Sequence, residues 1–218
     1  AGVPGVLVAD RRTGAVVDTV GAGVLHSPVQ LELLGDRWYV SDIDQGRPSL
    51  AMFTSGGKTL ERLVSLARFG ATPHQFAVLP DGRVVIEAPA GQLLALTGDS
   101  AARFSTYQPG PRTGFLLGAA GGVFHAVPDR HLTLYNAFGN IRWRRNWPWA
   151  ETAFITDLAV DAQGRIHVLA GVPGDGTFIV FTITPADGEV VRWSEYARGA
   201  SFTIDYLGHV RPDTLFAN

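Results

Sequence analysis

The stretch Arg142-Trp143-Arg144-Arg145-Asn146-Trp147-Pro148-Trp149 holds three of the chain's five tryptophans and three arginines. Trp and Arg are enriched in binding hot spots. An indole face also takes a guanidinium or a sugar ring. Trp143, Arg144, Arg145, Trp147 and Trp149 are therefore candidate partner-binding residues, joined by His74 and Arg112 in nearby loops. A structural reading stands beside this one. Alternate side chains of an outer strand pack inward, and Trp147-Pro148-Trp149 then wedges between two layers.

The second chemistry is carboxylate chemistry. Asp42, Glu87 and Asp157 follow or precede strand-like runs. With His in the same loops, such a set can hold one divalent metal, calcium or zinc. A metal there would polarise a carbonyl or activate water. The competing reading makes these carboxylates turn caps that bond their own backbone. His125 and His167 lie inside strands and read as packed residues. Asp161 and Asp205 each stand three residues before a glycine, which favours a turn role. No Ser–His–Asp set stands out, so no catalytic residue is assigned, and no cofactor is expected unless the metal reading holds.

The elements that must position these residues come from a repeat, clearest over residues 154–193. Residues 158–160, 166–169, 177–182 and 190–193 are apolar or β-branched runs separated by Asp161-Ala162-Gln163-Gly164, a looser loop, and Ala186-Asp187-Gly188-Glu189. Asp-Gly between such runs is a strong hairpin signal. Four strands in a row make an antiparallel sheet with two apolar faces, which a single unit cannot bury. Sequence periods of about 40–50 residues belong to stacked arrays, and strand-length runs select the propeller.

Weaker copies occupy about residues 26–71, 72–110 and 111–150, and the reference unit itself spans about 151–199. Within them we expect strands at 29–34, 37–41, 49–54, 59–67, 76–79, 84–87, 92–96, 102–107, 115–119, 123–127, 131–136 and 141–146. Leu60, Leu63, Val64 and Ala67 also fit helical spacing, but the repeat favours a strand. Residues 1–25 read as the second half of a unit. Residues 200–218 read as a first half, with strands at 202–205 and 214–217. The expected fold is a single all-β propeller of five four-stranded blades, closed by a composite blade from both ends.

Composition agrees. Hydrophobic residues make up 46% and charged residues 17% of the 218, as expected when blades are covered on both faces. A net charge of −2 argues against an extended nucleic-acid surface. No apolar run reaches membrane-spanning length. The absence of cysteine removes disulfides and thiolate metal sites. Ala1-Gly2 reads equally as a mature end left by signal cleavage and as a trimmed end.

Trp38-Tyr39-Val40-Ser41-Asp42 with Ser55-Gly56-Gly57, Leu79-Pro80-Asp81-Gly82-Arg83-Val84, and Val160-Asp161-Ala162-Gln163-Gly164-Arg165-Ile166 resemble NHL-type and related bacterial propeller repeats. The resemblance covers nearly the whole chain. It implies a bacterial protein, periplasmic or extracellular rather than cytoplasmic. Such families more often have six blades, so five is a departure. They include protein-binding modules and metal-dependent lactonases, and fold alone does not choose between them. The expectation is a non-catalytic binding or scaffold module with a protein partner. A lactonase-like hydrolase and a carbohydrate-binding propeller are the alternatives, with a small molecule or glycan as ligand.

Overall fold

The computed structural model describes residues 4–10, 12–54, 56–71, 76–106, 114–127, 131–147, 154–172, 174, 177–196, 201–204 and 210–213. The strands are β1 (Val6–Ala9), β2 (Val16–Val20), β3 (Pro28–Leu34), β4 (Arg37–Asp44), β5 (Arg47–Thr54), β6 (Thr59–Ser65), β7 (Phe76–Val78), β8 (Val84–Ala88), β9 (Gln92–Thr97) and β10 (Ser100–Arg103). They continue with β11 (Phe115–Ala119), β12 (Gly122–Val127), β13 (His131–Asn136), β14 (Ile141–Asn146), β15 (Phe154–Val160), β16 (Ile166–Gly171), β17 (Phe178–Ile183), β18 (Val190–Tyr196), β19 (Ser201–Ile204) and β20 (Val210–Asp213).

Four antiparallel sheets, β3–β6, β7–β10, β11–β14 and β15–β18, each run in sequence order. Their first strands meet: β3 touches β7, β7 touches β11, and β11 touches β15. That contact pattern puts the first strand of each blade at the axis and the fourth at the rim. The fold is a β-propeller, with four four-stranded blades among the described residues. The two terminal hairpins, β1–β2 and β19–β20, stand as separate two-stranded sheets. The composite blade expected from both chain ends draws on residues 1–3, 11, 200, 205–209 and 214–218, which lie outside the described residues.

The core lies between blades. Tyr39, Leu50 and Val64 of one blade pack with Phe76, Val84 and Ile86 of the next. Ala77, Val85 and Leu93 meet Leu116, Val123 and Tyr135. Phe124, Leu132 and Leu134 meet Ile166, Val168 and Phe181. The β1–β2 hairpin sets Val6 and Val8 against Val40, Ala51 and Phe53.

Two strand expectations need correction. Residues 59–67 form strand β6 and then a 3-10 turn, Ala67–Phe69, so both periodicities were partly present. The strand expected at 102–107 is Ser100–Arg103, because Gly98-Asp99 makes a two-residue turn that pairs Thr97 with Ser100. The tail strand expected at 214–217 lies outside the described residues.

Candidate functional site

The innermost strands enclose a cavity of about 420 Å³ lined from β3, β11 and β15. Two β-bulges shape it. In β15 the register steps from Ile155–Ala170 to Asp157–Leu169, leaving Thr156 as the extra residue. In β3 it steps from Pro28–Asp42 to Gln30–Ser41, with Val29 extra. Strand side chains alternate faces, so each extra residue reverses the parity of the residues after it. Without its bulge, Asp157 would share the face of buried Ile155. With it, Asp157 and Gln30 both line the cavity.

Glu32 is the central acid. Its Oε2 accepts the Val78 N–H at 2.8 Å. The Gly118 N–H also donates to this carboxylate. Glu32 on β3 thus ties the inner strands of two other blades. Gly118 is required by close approach: a Cβ there would sit 2.6 Å from the Val78 carbonyl oxygen and 3.3 Å from Glu32 Oε2. Gln30 extends the clamp. Its Nε2 donates to the Phe76 carbonyl at 2.8 Å, and its Oε1 accepts the Phe76 N–H at 3.4 Å. The free inner edge of the three-residue strand β7 is therefore satisfied by side chains rather than by a fifth strand.

Burial pushes the Glu32 carboxyl up to about 7, against the pull of hydrogen bonds from Val78, Gly118 and Gln30. Burial likewise raises Asp157, opposed by its bond from the Leu158 N–H. Asp157 is exposed by its accessible surface, so the surrounding wall removes only part of its water. For Glu32 the folded-state value lies above the unfolded one. Its contribution to stability is present in full below about pH 4.5 and is lost as pH rises through 7. We expect Glu32→Gln to gain on the wild type across that window, by about 1–3 kcal/mol after allowance for water in the cavity. Urea melts of both proteins at pH 4.5 and pH 8 check this, and parallel stabilities would refute it.

The remaining candidates are dispersed. Asp42 is 2% exposed and accepts the His26 N–H at 3.0 Å and the Ser27 N–H at 2.7 Å, so it ties down the loop ahead of β3. Glu87 is 4% exposed and accepts the Gly114 N–H at 2.7 Å. Its Oε1 lies 3.6 Å from Nε2 of fully buried His125. Among the described residues, that oxygen and both ring nitrogens of His125 have no hydrogen-bond partner. Also among the described residues, no three His, Asp or Glu side chains converge on a point that could hold a metal ion. Asp42, Glu87 and Asp157 are engaged separately.

The Trp/Arg stretch divides. Trp147 is 3% exposed and meets the Phe181 ring edge-to-face at 5.0 Å, as the wedge reading of this stretch expects and the rim reading does not. Its indole fills the joint between the third and fourth blades. Trp143 is half-buried in the same joint. Its Nε1 donates to the Pro185 carbonyl at 2.9 Å, and its ring lies over Gly188, where a Cβ would stand 2.7 Å from the indole. Arg144 and Arg145 stay exposed on β14, and Arg145 Nε donates to the Asp187 carbonyl at 3.1 Å. His74, Arg112 and Trp149 lie outside the described residues. Sequence reading missed Glu32, which sits in a run, Gln-Leu-Glu-Leu-Leu, whose polar positions look solvent-facing.

No family model and no curated protein matches the sequence. Solved structures do. A putative 6-phosphogluconolactonase from Bacteroides fragilis aligns with a TM-score of 0.58 at 12% identity, over 93% of this chain and 67% of that one. BamB from Moraxella catarrhalis aligns at 0.51 and 16%, over 75% and 48%. YCF48 from Cyanidioschyzon merolae aligns at 0.51 and 11%, over 82% and 59%. The chain thus spans about half the length of the BamB structure and up to two thirds of the others. At these identities the likeness establishes the propeller fold and nothing finer. Among the described residues, no helix is long and apolar enough to cross a membrane.

Proposed function

We propose that this chain is a non-catalytic binding propeller whose ligand seat is the axial cavity. One observation carries the reading. Buried Asp42, Asp161 and His167 hold loops and strands together, while the cavity collects Gln30, Glu32, Thr156 and Asp157 around open space. Cavities of several hundred Å³ with a few convergent polar groups are where small ligands sit. The resemblance of the repeat hairpins to NHL-type repeats agrees with a binding role. A second reading keeps a protein partner at the rim, favoured by exposed Arg142, Arg144 and Arg145 on the outermost strand β14.

The test is a thermal-shift screen against organic cations, carboxylates, sugars and lactones, with calcium or zinc added in parallel. A saturable ligand whose stabilisation is lost in Asp157→Lys, but kept in Arg144→Glu, supports the cavity. Loss in Arg144→Glu alone moves the site to the rim. Metal-dependent lactone turnover would overturn the non-catalytic reading.

A further inference from the structure

The cavity wall is rich in acceptors and poor in donors. Of its described lining side chains, Glu32 and Asp157 are acids, and none is Lys, Arg or His. The two neutral donors are already engaged. The Gln30 amide donates to the Phe76 carbonyl, and Thr156 Oγ1 donates to the Leu169 carbonyl at 3.2 Å. Asp157 takes a bond from its own neighbour, the Leu158 N–H at 2.8 Å. The second oxygen of Glu32 has a long 3.4 Å contact from the Gln30 amide. The rest of the wall is hydrocarbon, including Leu31, Leu117 and Leu158.

This inventory discriminates between ligand classes. An anion would meet two carboxylates and no cation. A polyol needs donors as well as acceptors, and the donors are taken. A divalent metal needs several oxygen ligands at one point, whereas this wall offers two carboxylates amid leucines. A positively charged nitrogen on a hydrocarbon skeleton matches both halves of the wall: donors and charge for the acids, apolar surface for the leucines. We propose that the axial cavity binds a small organic ammonium ligand, its nitrogen directed to Glu32 and Asp157 and its hydrocarbon part to Leu31, Leu117 and Leu158.

The proposal rests on the cavity being the binding seat and adds the class of ligand. Raised carboxyl values at Glu32 and Asp157 agree, since a desolvated carboxylate gains most from a cation that replaces its lost water. The facing groups from the described packed elements are Gln30 and Asp157, with backbone N–H groups of Val78 and Gly118, so among the described residues no cation competes.

Isothermal titration with hexylammonium, which is charged and carries three N–H donors at pH 8, is the direct test, with hexanol and hexanoate as neutral and anionic counterparts. Saturable binding of the cation at pH 8 is expected, with neither counterpart binding. Asp157→Asn should weaken it by about tenfold or more, the scale of losing one close charge pair. Asp157→Lys should abolish it. Asp157 lines the cavity without bridging blades, so both variants keep the Glu32 clamp intact and should fold. Binding of hexanoate or hexanol in place of the cation would overturn the ligand class and leave the cavity standing. Cation binding unaltered in both Asp157 variants would overturn the assignment of the site. No binding of any of the three would sink this inference, and the broader screen then decides the cavity reading by itself.

Discussion

Trp147→Ala is expected to destabilise the protein by about 3–5 kcal/mol and to lower Tm by roughly 6–20 °C for a chain of this size. The indole is buried between the third and fourth blades, edge-on to Phe181, in a cluster with Phe124, Leu132, Ile166 and Val168. Truncation leaves a cavity at a joint between two rigid sheets, which cannot collapse without moving a blade. Trp147→Phe keeps an aromatic edge there and should lose less than half as much. Calorimetric melts of the three proteins measure this. A Trp147→Ala protein that melts with the wild type would return this residue to the rim and to partner binding.

Breaking the network around Asp161 should have an effect of similar size. The Asp161 carboxylate accepts the N–H groups of Gln163 and Arg165, both at 2.9 Å, and Arg165 Nε at 2.7 Å. Its Oδ2 lies 2.9 Å from Nε2 of buried His167, whose Nδ1 is 3.2 Å from Thr182 Oγ1. An ionised carboxylate only accepts, so Nε2 carries the proton and Nδ1 accepts from the Thr182 hydroxyl. The order carboxylate, imidazole, hydroxyl resembles a catalytic relay, but all three groups are buried inside one blade and serve its first three strands. Removing one partner strands the others without water, so Asp161→Ala should cost about 3–5 kcal/mol. Arg165→Ala should cost at most about 1 kcal/mol, because that side chain is 43% exposed.

The pH dependence of this network has a definite sign. Burial would raise the Asp161 carboxyl, but hydrogen bonds from His167 and Arg165, with the Arg165 charge, outweigh it and hold it below its ordinary 3.8. Its folded value is thus lower than its unfolded one. The contribution is intact above about pH 4 and is lost as pH falls further. Asp161→Asn should lie below the wild type at neutral pH and converge with it in acid. Denaturant melts at neutral pH and at about pH 2.5 separate the cases, and a constant gap would rule out an ionised Asp161 as the cause. This limb runs opposite to that of Glu32, so the single variants can be read independently.

Much of the architecture was written locally. Alternating apolar runs with Gly-bearing turns between them located β11, β13 and β14 to the residue, because strand period and turn chemistry are properties of neighbouring residues. The turn roles of Asp161 and Asp187, and the packed role of His167, were legible for the same reason. The rim Trp/Arg stretch was legible as an outer strand, but not which of its residues faced out. Trp147 is buried because Phe181 of another blade stands opposite it, and no local pattern states that.

The cavity was decided by tertiary structure. Glu32 looks like a solvent-facing residue of an edge strand until the ring brings the Val78 and Gly118 N–H groups to its carboxylate. Gln30 and Asp157 owe their orientation to one extra residue each, Val29 and Thr156, and a bulge leaves no mark in side-chain types. The sequence by itself determined which residues form blades, because a sheet with two apolar faces must stack. Only the packing of inner strands from successive blades determined that Glu32 lost its water, since desolvation depends on strands distant in the chain.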